Sequence, residues 1–316
     1  MLLSIQHKTE LSYAEPISES VIELRMAPRN DATQTVRSFA LAVGPEAPVF
    51  EQADWQGNRA HHFSIVEVHD RVEIVASSVV ETLTPRQHLD DLSDPLPLNG
   101  VGHRLEDFLL PHGPVMKDLR LSTFAEQIGL LAEKRLSTVL AVVTARLREL
   151  LKYTKGVTTS GTTVCHALDL GKGVCQDFSH VGLSLLRMLG IPARYVSGYL
   201  YRAGSGELET HAWLEAYSPT LGWVGLDPTH GELASESHVA VATGRSYADV
   251  PPNRGVYRGQ AEEKISVKVL MQRLDNAQEP VPVIVRPEAR LLPDRMVRER
   301  AFDLQALEQQ QQQQQQ

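Results

Sequence analysis

Residues 171–201 read GKGVCQDFSHVGLSLLRMLGIPARYVSGYLY, a stretch in which a helical period gives way to a strand period. Phe178, Val181, Gly182, Leu185 and Leu189 fall on one helical face. Gly190 with Pro192 ends the helix at about Leu189, so it starts near Cys175. Three strands should follow: RYVSGYLY (194–201), HAWLEAY (211–217) and WVGLD (223–227), the last stopped by Pro228.

Working upstream, Thr123 with Glu126 three residues later resembles a capping box, opening a helix that carries Phe124, Leu130 and Leu131. A second helix follows Ser137, with Leu140, Val143, Leu147, Leu150 and Leu151 along one stripe. Residues 1–84 read as strands. Ile5, His7, Thr9, Leu11 and Tyr13 share one face, Ile22, Leu24 and Met26 alternate with Glu23 and Arg25, and further runs cover 36–43, 62–68 and 72–80. Turn signals at Gly44-Pro45, Gln56-Gly57-Asn58 and His69-Asp70 separate them, the spacing of a β-sandwich.

The organisation expected is a β-rich domain over 1–84, a Pro- and Asp-rich linker over 85–104, and a second domain over 105–286, an α+β arrangement. Apolar runs at 265–270 and 281–285 are expected to be closing strands of that second domain. The tail 287–316 is Arg-rich and ends in eight glutamines, a composition expected to be disordered at its end.

With 316 residues, 42% hydrophobic and 22% charged, the chain is neither disordered, collagen-like nor a disulfide scaffold. A net charge of −8 argues against a nucleic-acid partner. No run approaches the ~18 apolar residues of a membrane span and the N-terminus lacks a leader pattern, so a cytoplasmic protein without a membrane partner is expected. Only two cysteines occur, Cys165 and Cys175, too few for a disulfide framework or a Cys-based zinc site.

Cys175 falls at a helix N-terminus, where unpaired N–H groups and the helix dipole favour a thiolate, and Gly171 and Gly173 leave room beside it. For an isolated cysteine, a small buried residue is the simpler reading. His211 opens one expected strand and Asp227 closes the next, so in an antiparallel hairpin they are neighbours. Such a Cys, His and Asp supply nucleophile, general base and orienting group, roles defined in space rather than by spacing.

Three blocks carry a resemblance: GVCQDFSHVGLSLLRMLGIPARYVSGYL, THAWLEAYSPTLGWVGLDPTHG, and HVAVATGRSYADVPPNRGVYRG at 238–259. In order and context they resemble the transglutaminase-like superfamily, in particular its bacterial branch of cysteine protease-like proteins. The resemblance covers about 120–260, and the strand-rich first 84 residues are similar to the N-terminal region of that branch. It implies a papain-like fold, a Cys-bearing helix on an antiparallel sheet, with Cys175 the nucleophile, His211 the general base and then acid, and Asp227 the orienting carboxylate. Where that branch commonly has Asn, this chain has His230, a change expected to affect the cleft rim and not the triad.

The remaining candidates have simpler readings. His180 is five residues from Cys175 and points away from it on a helix, so a packing or surface role is expected. His166 reads as part of a short apolar segment, and His61-His62 lie on a strand where neighbours face opposite sides, so no metal site is expected. Trp213, Trp223, Tyr195, Tyr199 and Tyr201 read as sheet packing. The Cys175 N–H is one expected oxyanion donor, with Gln176 and Tyr153 candidates for a second. The loop after Asp227, with Arg245, Asp249, Pro251, Pro252, Arg254 and Tyr257, is expected either to shape the cleft mouth or to hold ordinary ion pairs and turns.

The function expected is a thiol-dependent amide hydrolase, a cysteine peptidase or amidase without cofactor, acting on a peptide or protein amide. The alternatives are a transglutaminase and, from another class, an inert binding or assembly module.

Overall fold

A computed structural model describes residues 1–83, 89–99, 102–204, 210–274 and 286–292. Strands β1 (Leu2–Leu24), β2 (Gln34–Gly44), β3 (Phe50–Ala53), β4 (Arg59–Ile65) and β5 (His69–Thr82) come first. Then follow α1 (Leu119–Gln127), α2 (Leu136–Arg146), β6 (Lys152–Tyr153), α3 (Val164–Leu170), β7 (Lys172–Gly173) and α4 (Cys175–Met188). The last elements are β8 (Ala193–Leu200), β9 (His211–Ser218), β10 (Gly222–Asp227), β11 (Glu232–Leu233), β12 (His238–Gly244), β13 (Asn253–Arg258) and β14 (Glu263–Arg273).

Strand β1 organises the first sheet. Its odd-numbered residues from Leu3 to Tyr13 are buried and the intervening ones are not, as a period of two requires. Up to Ser12 it lies between β5 and β14, with Leu11 opposite both Val72 and Ile265. After a break in register between Ser12 and Ile17, it lies between β4 and β13, with Glu23 opposite both His62 and Arg254. A local bulge of this kind bends a strand, so one long strand serves two antiparallel halves of a curled sheet.

The second sheet is antiparallel in the order β11-β10-β9-β8-β12. Helix α4 lies on β8 and β9, its Phe178, Val181 and Leu185 joining Leu214 and Val224 and the α2 residues Leu140 and Val143 in one core. Each such fully buried side chain contributes roughly 1.5–3 kcal/mol. A Cβ at Gly182 would come within 2.4 Å of Leu214 Cδ2, so the glycine sets how closely α4 sits on β9. Leu3, Ile5 and Val80 of the first sheet enter the same core, and His7 Nδ1 is 2.8 Å from the Tyr199 hydroxyl, which joins the two units.

Several expectations change. The strand over 265–270 does not close the second domain; as β14 it pairs with β1, so the division at residue 286 does not follow the sheets. Its face carrying Val269 and Met271 is buried beside His7 and Ile5, the burial that draws it there. The Thr123 and Glu126 pair lies inside α1, because the Asp118 carboxylate accepts the Arg120 N–H and starts the helix earlier. His69-Asp70 begins β5 and is not a turn. In the expected linker, Leu92 and Asp94 are buried, and Asp94 accepts hydrogen bonds from the Ser218 and Thr220 hydroxyls. The expected strand over 281–285 and the tail from 293 lie outside the described residues.

Candidate active site

The start of α4 is built around Asp177. Its Oδ2 accepts the Val174 N–H at 2.8 Å and the Thr158 hydroxyl at 2.7 Å, tying the loop before α3 to the first turn. Burial pushes the Asp177 carboxyl above its ordinary value. A Cβ at Gly173 would lie 2.6 Å from Asp177 Cβ, so only glycine permits this fold-back. Cys175, half-buried, is the first residue of the helix, where N–H groups have no partner in a preceding turn.

His211 and Asp227 meet as the hairpin reading requires. With Leu226 opposite Leu214 across β10 and β9, His211 Nε2 comes 2.8 Å from Asp227 Oδ2. Burial opposes charge on His211, but hydrogen bonding to Asp227 and to the Cys175 thiol carries its pKa up to about 9. The nitrogen opposite Asp227, Nδ1, is thus the one left for the thiol. The Trp213 ring stacks at 6.1 Å on His211 and restrains its tilt.

Asp227 is fully buried, and it serves more than one histidine. Its Oδ1 accepts the Thr229 and His230 N–H groups at 3.0 and 3.3 Å. Its Oδ2 faces His211, His230 Nδ1 at 2.7 Å and His238 Nε2 at 3.1 Å. The Ser235 N–H donates to His238 Nδ1 at 3.0 Å, which places the His238 proton on Nε2, toward Asp227. Burial alone would raise the Asp227 carboxyl, but these imidazoles, His211 first, hold it well below the carboxylate range. The atoms of His211, Asp227 and His230 are close enough to hold a metal ion, and the hydrogen bonds account for the same geometry.

A cleft of about 750 Å³ runs over Cys175 and His211, and its lining includes Tyr195, Tyr247 and, from β14, Ile265 and Val267. Gln176 lines it too, but its Nε2 donates to the Ser160 carbonyl at 3.1 Å. Tyr153 stands exposed at the rim.

The other sequence candidates lie elsewhere. His180 is buried in α4, its Nε2 accepting the Tyr247 N–H at 3.2 Å. His166 is exposed on α3, and His61 is buried while its neighbour His62 is not. Burial and the Asp118 carboxylate push the Cys165 thiol up. Arg245 pairs with Asp249 at 2.9 Å, Arg254 with Glu23 at 2.5 Å, and the Tyr257 hydroxyl donates to the Ala261 carbonyl at 2.6 Å. Of the loop after Asp227, it is Tyr247, Pro252 and Asn253 that line the cleft. Sequence reading missed His238, whose place beside Asp227 depends on β12 lying against β8, and it treated His230 as a rim residue.

Residues 3–81 match the bacterial transglutaminase-like N-terminal region, and residues 122–228 match the transglutaminase-like superfamily. An uncharacterized protein of Mycobacterium leprae is 32% identical over 279 residues, 86% of this chain and 99% of that protein. The chain belongs to the transglutaminase-like superfamily, in the bacterial branch with this N-terminal region. A protein-glutamine gamma-glutamyltransferase of Pseudomonas aeruginosa is 35% identical over 105 residues, 29% of this chain and 16% of that protein. The crystal structure of a candidate cysteine protease from Cytophaga hutchinsonii shares the fold, with a TM-score of 0.71 at 22% identity over 92% of this chain and 95% of that one.

Proposed function

We propose that the protein is a thiol-dependent acyl-transfer enzyme acting on amides, and that water resolves its acyl-enzyme. The observation that carries this reading is the His211 imidazole, held at 2.8 Å by Asp227 through one nitrogen while hydrogen bonding with Cys175.

In this mechanism His211 takes the Cys175 proton, and the thiolate attacks the amide carbonyl carbon. The carbonyl oxygen gains charge and accepts the Cys175 N–H at the helix start. His211 then gives the proton to the leaving amine nitrogen as the C–N bond breaks, leaving a thioester. A water, deprotonated by His211, attacks the thioester, and the thiol leaves with that proton. Asp227 keeps the imidazole oriented and stabilises its charged form in both halves.

Transfer to an amine uses the same first half, and the match to the Pseudomonas aeruginosa glutamyltransferase favours it as the second reading. Mass spectrometry of peptide mixtures incubated with and without a primary amine separates the two. Cleavage or deamidation supports the hydrolase; amine incorporation supports the transferase. No mass change, with Cys175 inert to chloroacetamide, would leave the binding module.

A further inference from the structure

Strand β14 carries an apolar face that runs out of the core into the cleft. Ile265, Val267, Val269 and Met271 alternate on this face, in register with Leu11, Thr9, His7 and Ile5 of β1. Val269 and Met271 are covered, whereas Ile265 is 49% and Val267 38% exposed. The partners of these two on β1, Leu11 and Thr9, are themselves buried, so from β14 it is Ile265 and Val267 that the sheet turns toward the site, beside His7 of β1. Two β-branched residues facing water offer nothing to folding that Thr would not also supply; apolar area left uncovered beside a reactive thiol gains its stabilisation when a ligand covers it.

The charge of the cleft narrows the ligand. Among the described residues no carboxylate lines it, and the one arginine that does, Arg202, is paired at 3.6 Å with Glu232 outside the lining. A cationic side chain brought there meets Arg202 and, among the described lining residues, no carboxylate.

We infer that Ile265 and Val267 form a specificity shelf supplied by the first sheet to the active-site cleft of the second unit, and that the substrate is a peptide amide with a branched or aromatic apolar side chain near the reacting carbonyl. This rests on the proposed role of Cys175 and gives the first sheet a share in substrate selection. Extended peptides suit a cleft with a strand as one wall, since alternate side chains of both point toward each other.

The test is affinity, so that it does not depend on turnover. Matched tetrapeptide amides containing Leu, Lys or Glu at one position are titrated into the Cys175→Ala protein and followed by calorimetry or NMR. The leucyl peptide should bind about tenfold tighter than the lysyl peptide, and the Ile265→Thr/Val267→Thr double variant, which keeps the β-branched character of the strand, should erase the difference. Leu270→Thr, on the opposite face of β14, should leave it intact, with thermal midpoints showing all three variants folded. Equal affinities for the leucyl and lysyl peptides, or a preference that survives the double variant, would overturn the shelf. Chloroacetamide labelling of Cys175 in the unmodified protein reports separately on the proposed chemistry.

Discussion

His230 and His211 share one oxygen of Asp227, at 2.7 and 2.8 Å. With His238 on the same oxygen and two backbone N–H groups on the other, five donors meet a carboxylate that offers about four lone-pair positions. The three imidazoles are therefore not equivalent supports. His238 is buried and His230 is about one-third exposed, so water can replace the second but not the first.

From this, His238→Leu should cost about 1–3 kcal/mol in denaturant unfolding, since it removes a donor from a buried carboxylate. His230→Asn, whose amide can still donate, should unfold within about 0.5 kcal/mol of the parent and keep turnover within roughly threefold. Equal destabilisation by both substitutions would contradict the asymmetry.

The pKa of His211 sets a pH window. Because folding raises it from 6.5 to about 9, its stabilisation is complete below about pH 6.5 and disappears as pH rises through 9. Asp227→Asn should bring the alkaline fall in stability to lower pH, slow alkylation of Cys175 near neutrality, and reduce turnover roughly 10²-fold or more. Urea midpoints measured from pH 6 to 10 check the first of these, and rate profiles check the others.

Selective labelling follows from the two cysteine environments. A small electrophile near pH 7 should modify Cys175 well before Cys165, whose thiol is pushed up by burial and Asp118. Cys175→Ala should fold normally and lose all acyl transfer, while Cys165→Ala keeps it. Peptide mapping after limited alkylation gives the order directly.

Gly198 is where packing and site meet. It lies opposite His211 on the neighbouring strand, and a Cβ there would fall 2.2 Å from the Val239 carbonyl oxygen and 2.6 Å from the Trp213 ring. Gly198→Ala should destabilise by about 1–3 kcal/mol and also lower activity, because the displaced Trp213 is the ring stacked on His211. Full activity in a destabilised variant would show that the stacking does not restrain the imidazole.

The local features of this site were legible in the sequence. The 3.6-residue stripe and the Gly190 and Pro192 stop place the start of α4 near Cys175, and the helix begins at that residue. The alternation of 211–217 and 223–227 gives the hairpin that joins His211 to Asp227. What escaped depends on pairing between distant segments. Period two makes 265–270 a strand but does not say that its partner is β1, and neither composition nor spacing tells that His238 will return to Asp227 along β12. The start of α1 was misplaced for a different reason: Asp118 and Thr123 are both good capping residues, and tertiary packing chose the first.

Strand β1 also has a consequence for how the chain is made. Tyr13 and Glu263, 250 residues apart, face each other across β1 and β14. The second unit is thus an insertion within the first, and the opening strand emerges from the ribosome long before two of its four partners exist. Contacts of such sequence separation make assembly slow, and until β13 and β14 arrive, β1 has bare hydrogen-bonding edges of the kind that recruit other chains. A message cut short near residue 250 would encode every residue of the Cys175, His211 and Asp227 cluster and yet yield a protein prone to aggregate.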